Sequence, residues 1–255
     1  MKFTFLGTGT SQGVPVIACP CEVCQSSDIK DNRLRTSGML EVKGKTIVFD
    51  TGPDFRQQML RAQVKVLDAV VFTHAHKDHI AGLDDVRAFN FLLNRDMDVY
   101  ADERTEKQLK QEFAYIFAEN KYPGVPEVQL HRIENAPFYI GEAKLIPMEV
   151  MHYKLPVLGF RIKDFAYITD ANFISDAVMG KLQNLEVLVL NALRIEEHIS
   201  HFNLAQAIEI VQKLQPKKAY FTHISHLMGK HEDVQSILPP NIELAYDGLV
   251  LELAS

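Results

Sequence analysis

Short alternations of apolar and polar residues open the chain. Residues 2–6 alternate with period two and run into Gly7-Thr8-Gly9-Thr10, and residues 39–42 and 46–50 repeat the alternation around Gly44, which predicts a strand and then a hairpin. Residues 57–62 read as a short helix, and residues 66–72 form an almost unbroken apolar run, the pattern of a strand covered on both faces. The period then lengthens: residues 84–93 and 103–120 read as amphipathic helices separated by a strand at 98–101. Residues 143–151 predict a strand ending at His152, and residues 158–162 and 166–169 a hairpin around Lys163-Asp164, followed by Asp170. Strand, helix and strand recur at 187–190, 204–214 and 219–222, and a closing hairpin is expected at 242–245 and 249–253 around Asp247-Gly248. Strands mixed with helices in this way predict a layered α/β protein, and no linker or internal repeat divides the chain, so one domain over residues 1–255 is expected.

Composition narrows the class. The 255 residues are 47% hydrophobic and 24% charged, as in an ordinary globular protein, and the formal charge of -6 argues against a broad basic footprint for nucleic acid. An anionic substrate would have to be met by a local cationic site. No apolar run approaches a membrane span, and the start MKFTFLGTGTSQG lacks a signal-peptide pattern, so a cytoplasmic location and no membrane partner are expected. A homodimer is compatible with this composition.

The chemistry concentrates after the buried strand at 66–72. His74, His76, Asp78 and His79 fall within six positions. Residues two apart in an extended segment face the same way, so His74 and His76 can face one ion, while a turn after Lys77 redirects Asp78 and His79 toward a second. Imidazole with carboxylate suits zinc, manganese or iron, and two adjacent ions can clamp the attacking and leaving oxygens of a displacement.

Thr73-His74-Ala75-His76-Lys77-Asp78-His79 resembles the HxHxDH signature of the metallo-β-lactamase superfamily, and Asp50-Thr51-Gly52 resembles its strand-end Asp-x-Gly element. The resemblance implies an αββα sandwich. It also implies that a later His completes the first metal site, a later Asp bridges both ions and a final His completes the second; His152, Asp170 and His223 stand in that order at expected strand ends. His131 competes with His152 and Asp164 with Asp170, but His131 comes early and Asp164 sits at a hairpin tip, where Asp is a common turn residue.

Cys19, Cys21 and Cys24 are the chain's only cysteines. An odd number of thiols in one short loop fits metal thiolates in a reducing compartment better than disulfides, and a tetrahedral structural zinc needs a fourth ligand. His226, in Thr222-His223-Ile224-Ser225-His226, is the expected one, because its loop passes the same sheet edge. GTGTSQGVP, the CxCxxC loop, HAHKDH and THISH together resemble the PhnP type of metallo-β-lactamase-fold phosphodiesterase, and the similarity spans nearly the whole chain. The resemblance implies two divalent ions, zinc or manganese, one structural zinc, and a small cyclic or nucleotide-like phosphodiester attacked by hydroxide from between the ions. His201 matches an additional active-site histidine of that type, and its expected role is that of an imidazolium donating to the leaving oxygen. The glycines at 7, 9 and 13 lack phosphate-loop and dinucleotide patterns and read as turn glycines.

The first rival is a tRNA 3′-processing endonuclease, which would need a protruding basic arm. Arg104, Lys107 and Lys110 are interleaved with Glu106 and Glu112, the pattern of a solvated helix face. The second is a non-enzymatic accessory protein on the same fold; broken ligand positions would mark it, and none is broken.

Overall fold

The computed structural model describes residues 1–253 and builds two seven-stranded sheets. The first takes β1 (Lys2–Gly7), β2 (Ser37–Val42), β3 (Lys45–Phe49), β4 (Ala69–Val71), β5 (Met97–Ala101) and β6 (Val128–Arg132). The second takes β7 (Phe138–Ile140), β8 (Ala143–His152), β9 (Leu155–Ile162), β10 (Phe165–Ile168), β11 (Val187–Asn191), β12 (Lys218–Thr222) and β13 (Ile242–Leu244), and β14 (Val250–Glu252) returns to the first. The spatial orders are β14-β1-β2-β3-β4-β5-β6 and β13-β12-β11-β10-β9-β8-β7. In each sheet one part is antiparallel and the other, β3 to β6 or β10 to β13, is parallel.

Side-chain alternation assigns the layers. Along β3, Ile47 and Phe49 enter the core between the sheets while Val48 faces the outer core; along β11, Val189 points between the sheets while Leu188 and Leu190 point outward. The central core is aromatic: Phe49 stacks on Tyr167 at 5.1 Å, and Phe3 meets Phe165 at 4.8 Å. Outside the first sheet lie α1 (Phe55–Arg61), α2 (Lys77–Ile80), α3 (Arg87–Leu93) and α4 (Glu103–Glu112); outside the second lie α5 (Asp176–Lys181), α6 (Leu204–Leu214) and α7 (His231–Ile237). Leu204, Ala207, Val211 and Leu214 form the buried stripe of α6, which an Asn203–Gln206 capping box starts. This is the αββα sandwich. No helix among the described residues is long and apolar enough to cross a membrane.

Several expected elements change. The helix expected over 103–120 stops at Glu112, because Phe113 and Ile116 turn into the outer core of the first sheet. The helix expected over 84–93 begins as a 3-10 turn, Leu83–Val86, and β6 and β7 were not expected at all; β6 is a half-buried edge strand with little alternation to read. The closing hairpin is absent: β13 pairs with β12 in one sheet and β14 with β1 in the other. Asp247, expected as a turn residue, accepts from Thr8 N, Thr8 Oγ1 and Leu34 N at 2.9, 2.7 and 2.8 Å, which steers the chain across the sandwich. Gly13 is a turn glycine at φ +67°, but Gly7 is a close-approach glycine, since a Cβ there would lie 1.9 Å from Arg35 O.

A buried cation fastens α7 to this junction. Arg33 Nη1 donates to Thr8 Oγ1 and Ala245 O at 2.9 and 2.6 Å, and Nη2 donates to His231 Nδ1 at 3.2 Å. Burial, Arg33 and Lys30 push the His231 imidazole down from 6.5 to about 4, against the opposing pull of Asp28 and Asp31. The folded protein therefore resists a proton that the unfolded chain accepts, so this contribution to stability is intact above 6.5 and lost as pH falls toward about 4. His231→Gln keeps an acceptor for Arg33 without titrating, and melting curves across that window should fall less steeply with acid than the wild type's; parallel curves would sink the assignment.

Candidate metal centre

The sequence supplies the centre from loops that leave strand ends along one edge of the sandwich. After β4 the chain stays extended through His74 and His76, then winds into the single turn α2, where His79 N and Ile80 N both donate to His76 O. That places His74 and His76 on one side and Asp78 and His79 on the other, as the spacing predicts. The Asp-x-Gly element makes the turn possible. A Cβ at Gly52 would lie 2.2 Å from Asp78 O, so only glycine admits the α2 backbone, and Thr51 N donates to His79 O at 2.8 Å.

Two donor clusters result. Ligand atoms of His74, His76 and His152 lie within 4.8 Å of one another, and so do those of Asp78, His79, Asp170 and His223. Asp170 stands between them: Oδ1 is 3.4 Å from His79 Nε2 and 3.2 Å from His223 Nδ1, while Oδ2 is 3.9 Å from His74 Nε2. Asp50, Asp170 and His223 all hold φ near +60°, a conformation uncommon for residues other than glycine.

Two of the imidazoles are oriented from behind. His79 Nδ1–H donates to Asp50 Oδ2 at 2.7 Å, and Thr73 N and Oγ1 hold the same carboxylate at 2.8 Å. His152 Nδ1–H donates to Ser200 O at 2.8 Å. With its Nδ1 proton committed, His79 Nε2 presents a lone pair; it is buried without a hydrogen-bond partner and faces Asp78 Oδ2 at 3.3 Å and Asp170 Oδ1 at 3.4 Å. A lone pair between two carboxylates requires a proton or a cation among them. The residues therefore fit divalent ions. Burial alone would raise the Asp170 carboxyl, but the His223 and His79 imidazoles outweigh it and hold it well below the usual carboxylate range.

His201 lies against both clusters, its ring 4.5 Å from His152 and 4.8 Å from His223. Burial first, and then His223, push its imidazole down to about 2, so the imidazolium expected from sequence is not the resting form. The rivals fall elsewhere: His131 pairs with Asp98 at 2.6 Å on β6, and Asp164 is an exposed turn residue beside Arg161. Arg104, Lys107 and Lys110 pair with Glu149, Glu103 and Glu106 at 3.6, 3.3 and 2.6 Å, so each is matched by a carboxylate. Two parts escaped the sequence reading. Asp50 was visible only as part of a motif, not as the partner of His79, and His198 was passed over although it stands three residues before His201.

Beside this edge, ligand atoms of Cys19, Cys21, Cys24 and His226 lie within 4.8 Å of one another, and His226 Nδ1 is 3.3 Å from both Cys19 Sγ and Cys21 Sγ. The Cys24 N–H and His226 draw the Cys21 thiol down to about 6, a thiolate at neutral pH, whereas burial pushes Cys24 up to about 11. Soft donors in this number suit zinc.

Comparison with known proteins agrees with the geometry. The beta-lactamase superfamily domain matches residues 45–224. The crystal structure of a new diphosphatase from the PhnP family superposes with a TM-score of 0.93 at 44% identity, covering 99% of this chain and 98% of that one. Zn2+-bound PqqB from Methylobacterium extorquens shares the fold at TM-score 0.83 and 18% identity, covering 99% and 100%. An octanoyltransferase of Porphyromonas gingivalis is 38% identical over 252 residues, 98% of this chain but 51% of the relative, so the chain spans about half that protein's length. A ribonuclease Z of Nostoc punctiforme is 24% identical over 263 residues, covering 98% and 71%. With its HxHxDH turn, its Asp-x-Gly element and its cysteine loop in place, the chain belongs to the beta-lactamase superfamily and, within it, to the PhnP family.

Proposed function

We propose that this protein is a metal-dependent hydrolase of small phosphoesters, with two divalent ions, zinc or manganese, at the paired clusters and one structural zinc at the thiolates. The observation that carries the reading is the unpartnered Nε2 of His79 between Asp78 and Asp170, with Asp170 reaching toward both clusters. His74, His76 and His152 would hold one ion; Asp78, His79 and His223 the other; Asp170 both. When bound, such a pair supplies Lewis acidity toward phosphoryl oxygens and acidifies water at neutral pH.

The chain's own groups set the rest. Asp50 and Ser200 O keep the Nδ1 protons on His79 and His152, so that both rings turn their Nε2 atoms inward. His201 gives a proton to the leaving oxygen; the charge of a bound phosphoester supplies the anion that lets this buried imidazole carry it. A relative named as a diphosphatase extends the substrate class from cyclic and nucleotide-like diesters to phosphoanhydrides. Octanoyl transfer is not carried over, since that name describes a protein twice as long.

Elemental analysis of protein purified without chelator should return about three metal ions per chain. Turnover is then measured on cyclic nucleotides, cyclic sugar phosphates, a nucleoside diphosphate, bis(p-nitrophenyl) phosphate and precursor tRNA. Small phosphoesters should be cleaved and the tRNA spared; at most one bound ion, or cleavage of the tRNA alone, would overturn the reading. The thiolate site is tested separately. His226→Ala should release one zinc and lower the melting temperature by on the order of 10 °C, with activity lost through disorder of the loop that also carries His223. Unchanged zinc content in that variant would assign the fourth ligand elsewhere.

A further inference from the structure

Positive charge gathers at the end of the sandwich away from the metal centre. His152 ends β8, and Asp50 and Asp170 come just after β3 and β10; the first residues of these strands lie at the other end. There the turns β2–β3, β7–β8 and β9–β10 leave a cavity of about 500 Å3 that draws its lining from both sheets. Its floor is apolar: Val42, Ala143 and Ile162 are buried and Ile146 is half-buried. Four exposed lysines, Lys43, Lys144, Lys163 and Lys181, surround that floor. Arg161 lines it as well, and Glu142 is the only acid in the lining among the described residues.

The backbone that carries these lysines is fixed. Arg161 Nε donates to Lys163 O at 2.7 Å, and Nη1 donates to Lys181 O and, at 2.9 Å, to Gln183 O, so one guanidinium joins the β9–β10 turn to the end of α5. Lys43 and Lys163 hold left-handed turn positions at φ +50° and +53°, where Asn, Asp or Gly meets less strain. The nearby Lys2 and Lys45 are paired, with Glu41 and, at 3.0 Å, with Asp68. Among the described residues the four lysines of the cavity have no carboxylate partner. In a protein of formal charge -6, four such cations around one hollow repel one another until an anion sits among them.

We propose that this cavity binds a single-chain anionic amphiphile, its apolar tail along the floor and its carboxylate or phosphate head among the lysines. An apolar floor with a few charged groups around it is the general make-up of a small-molecule site, and about 500 Å3 lies within the usual range. A lysine meets such a ligand twice, with its methylene stem against the tail and its ammonium at the head. A bilayer surface fits the cavity less well, because the turn tips Lys43-Gly44, Gly141-Glu142 and Lys163-Asp164 carry no apolar residue to insert. The cavity shares no residue with the metal centre, so the proposal stands or falls independently of the phosphoester reading.

The test is calorimetry with hexanoate, octanoate, decanoate and decyl phosphate on protein purified without chelator. Affinity should rise along the carboxylate series, by up to about fourfold for each methylene buried, and decanoate against decyl phosphate distinguishes the two heads. Lys144→Glu combined with Lys181→Glu, both at exposed positions, should weaken decanoate binding by about 10-fold or more with the melting temperature unchanged. Ile146→Ser should flatten the dependence on chain length while leaving the lysines in place. Binding should persist in Asp170→Asn, which separates the cavity from the metal centre. Affinity that does not change with chain length, or decanoate binding indifferent to the two lysine substitutions, would overturn the proposal. So would sedimentation with phosphatidylglycerol vesicles that those substitutions abolish while decanoate stays unbound, since the lysines would then form a membrane contact.

Discussion

Asp170→Asn is expected to reduce phosphoester hydrolysis by roughly 10³-fold or more and to lower the bound metal by at least one ion, while the melting profile stays close to the wild type's. The argument starts from position. Asp170 is buried, its two oxygens face different clusters, and Thr169 Oγ1 donates to Oδ1 at 2.6 Å. Removing its charge leaves the second cluster with one carboxylate, Asp78, against two imidazoles, and leaves the first with none. Asparagine is the better probe than alanine because the backbone sits at φ +58°, a region Asn tolerates and Ala does not. Turnover on bis(p-nitrophenyl) phosphate, metal content and a melt are the three measurements. Retained activity with both ions in place would reassign the residue.

His201→Ala should depress hydrolysis of an alkyl or ribose-type diester by roughly 10²- to 10⁴-fold, the span of a positioned acid, and affect a p-nitrophenyl diester far less. An alkoxide is a poor leaving group and gains much from a proton, whereas p-nitrophenolate departs without one. The ring is well placed for such selectivity: it lies against His152 and His223 and is almost fully buried, so the proton it carries is not shared with solvent. A diphosphate, whose leaving group is phosphate, should fall between the two substrates. Equal losses on all of them, with metal content retained, would make His201 a binding group for every phosphoester rather than an acid.

Much of the centre was legible because its first four residues are local. His74, His76, Asp78 and His79 need only an extended step and one helical turn, and both are set by neighbours within the segment. The same holds for the three cysteines and for the amphipathic stripe of α6. His152, Asp170 and His223 came instead from a resemblance in motif order, and His226 from a loop expected at the same sheet edge as the cysteines; the structure brings the donor atoms of all four into clusters.

What escaped depends on contacts between distant segments. Asp50 holds His79 across 29 positions, and no local pattern marks a strand-end aspartate as the partner of that ring rather than of another. His198 acquires its Nε2–H tautomer only from the Ser200 N–H that its own loop brings to Nδ1. The resting charge of His201 was not legible in the sequence for a related reason: burial lowers its imidazole, and burial is a property of the packed site.

By itself the sequence determined the layered class, the alternation that puts Phe49 and Val189 between the sheets, and the local geometry of the histidine turn, because periodicity and short-range spacing are fixed by the covalent chain. Tertiary structure decided which sheet each late strand joins. The segments at 242–245 and 249–253 look like the arms of one hairpin, yet they pair in opposite sheets because Asp247 finds its donors on Thr8 and Leu34, more than two hundred residues away in sequence. Alternation records that a strand has one buried face; only the packed sandwich selects the partner that buries it.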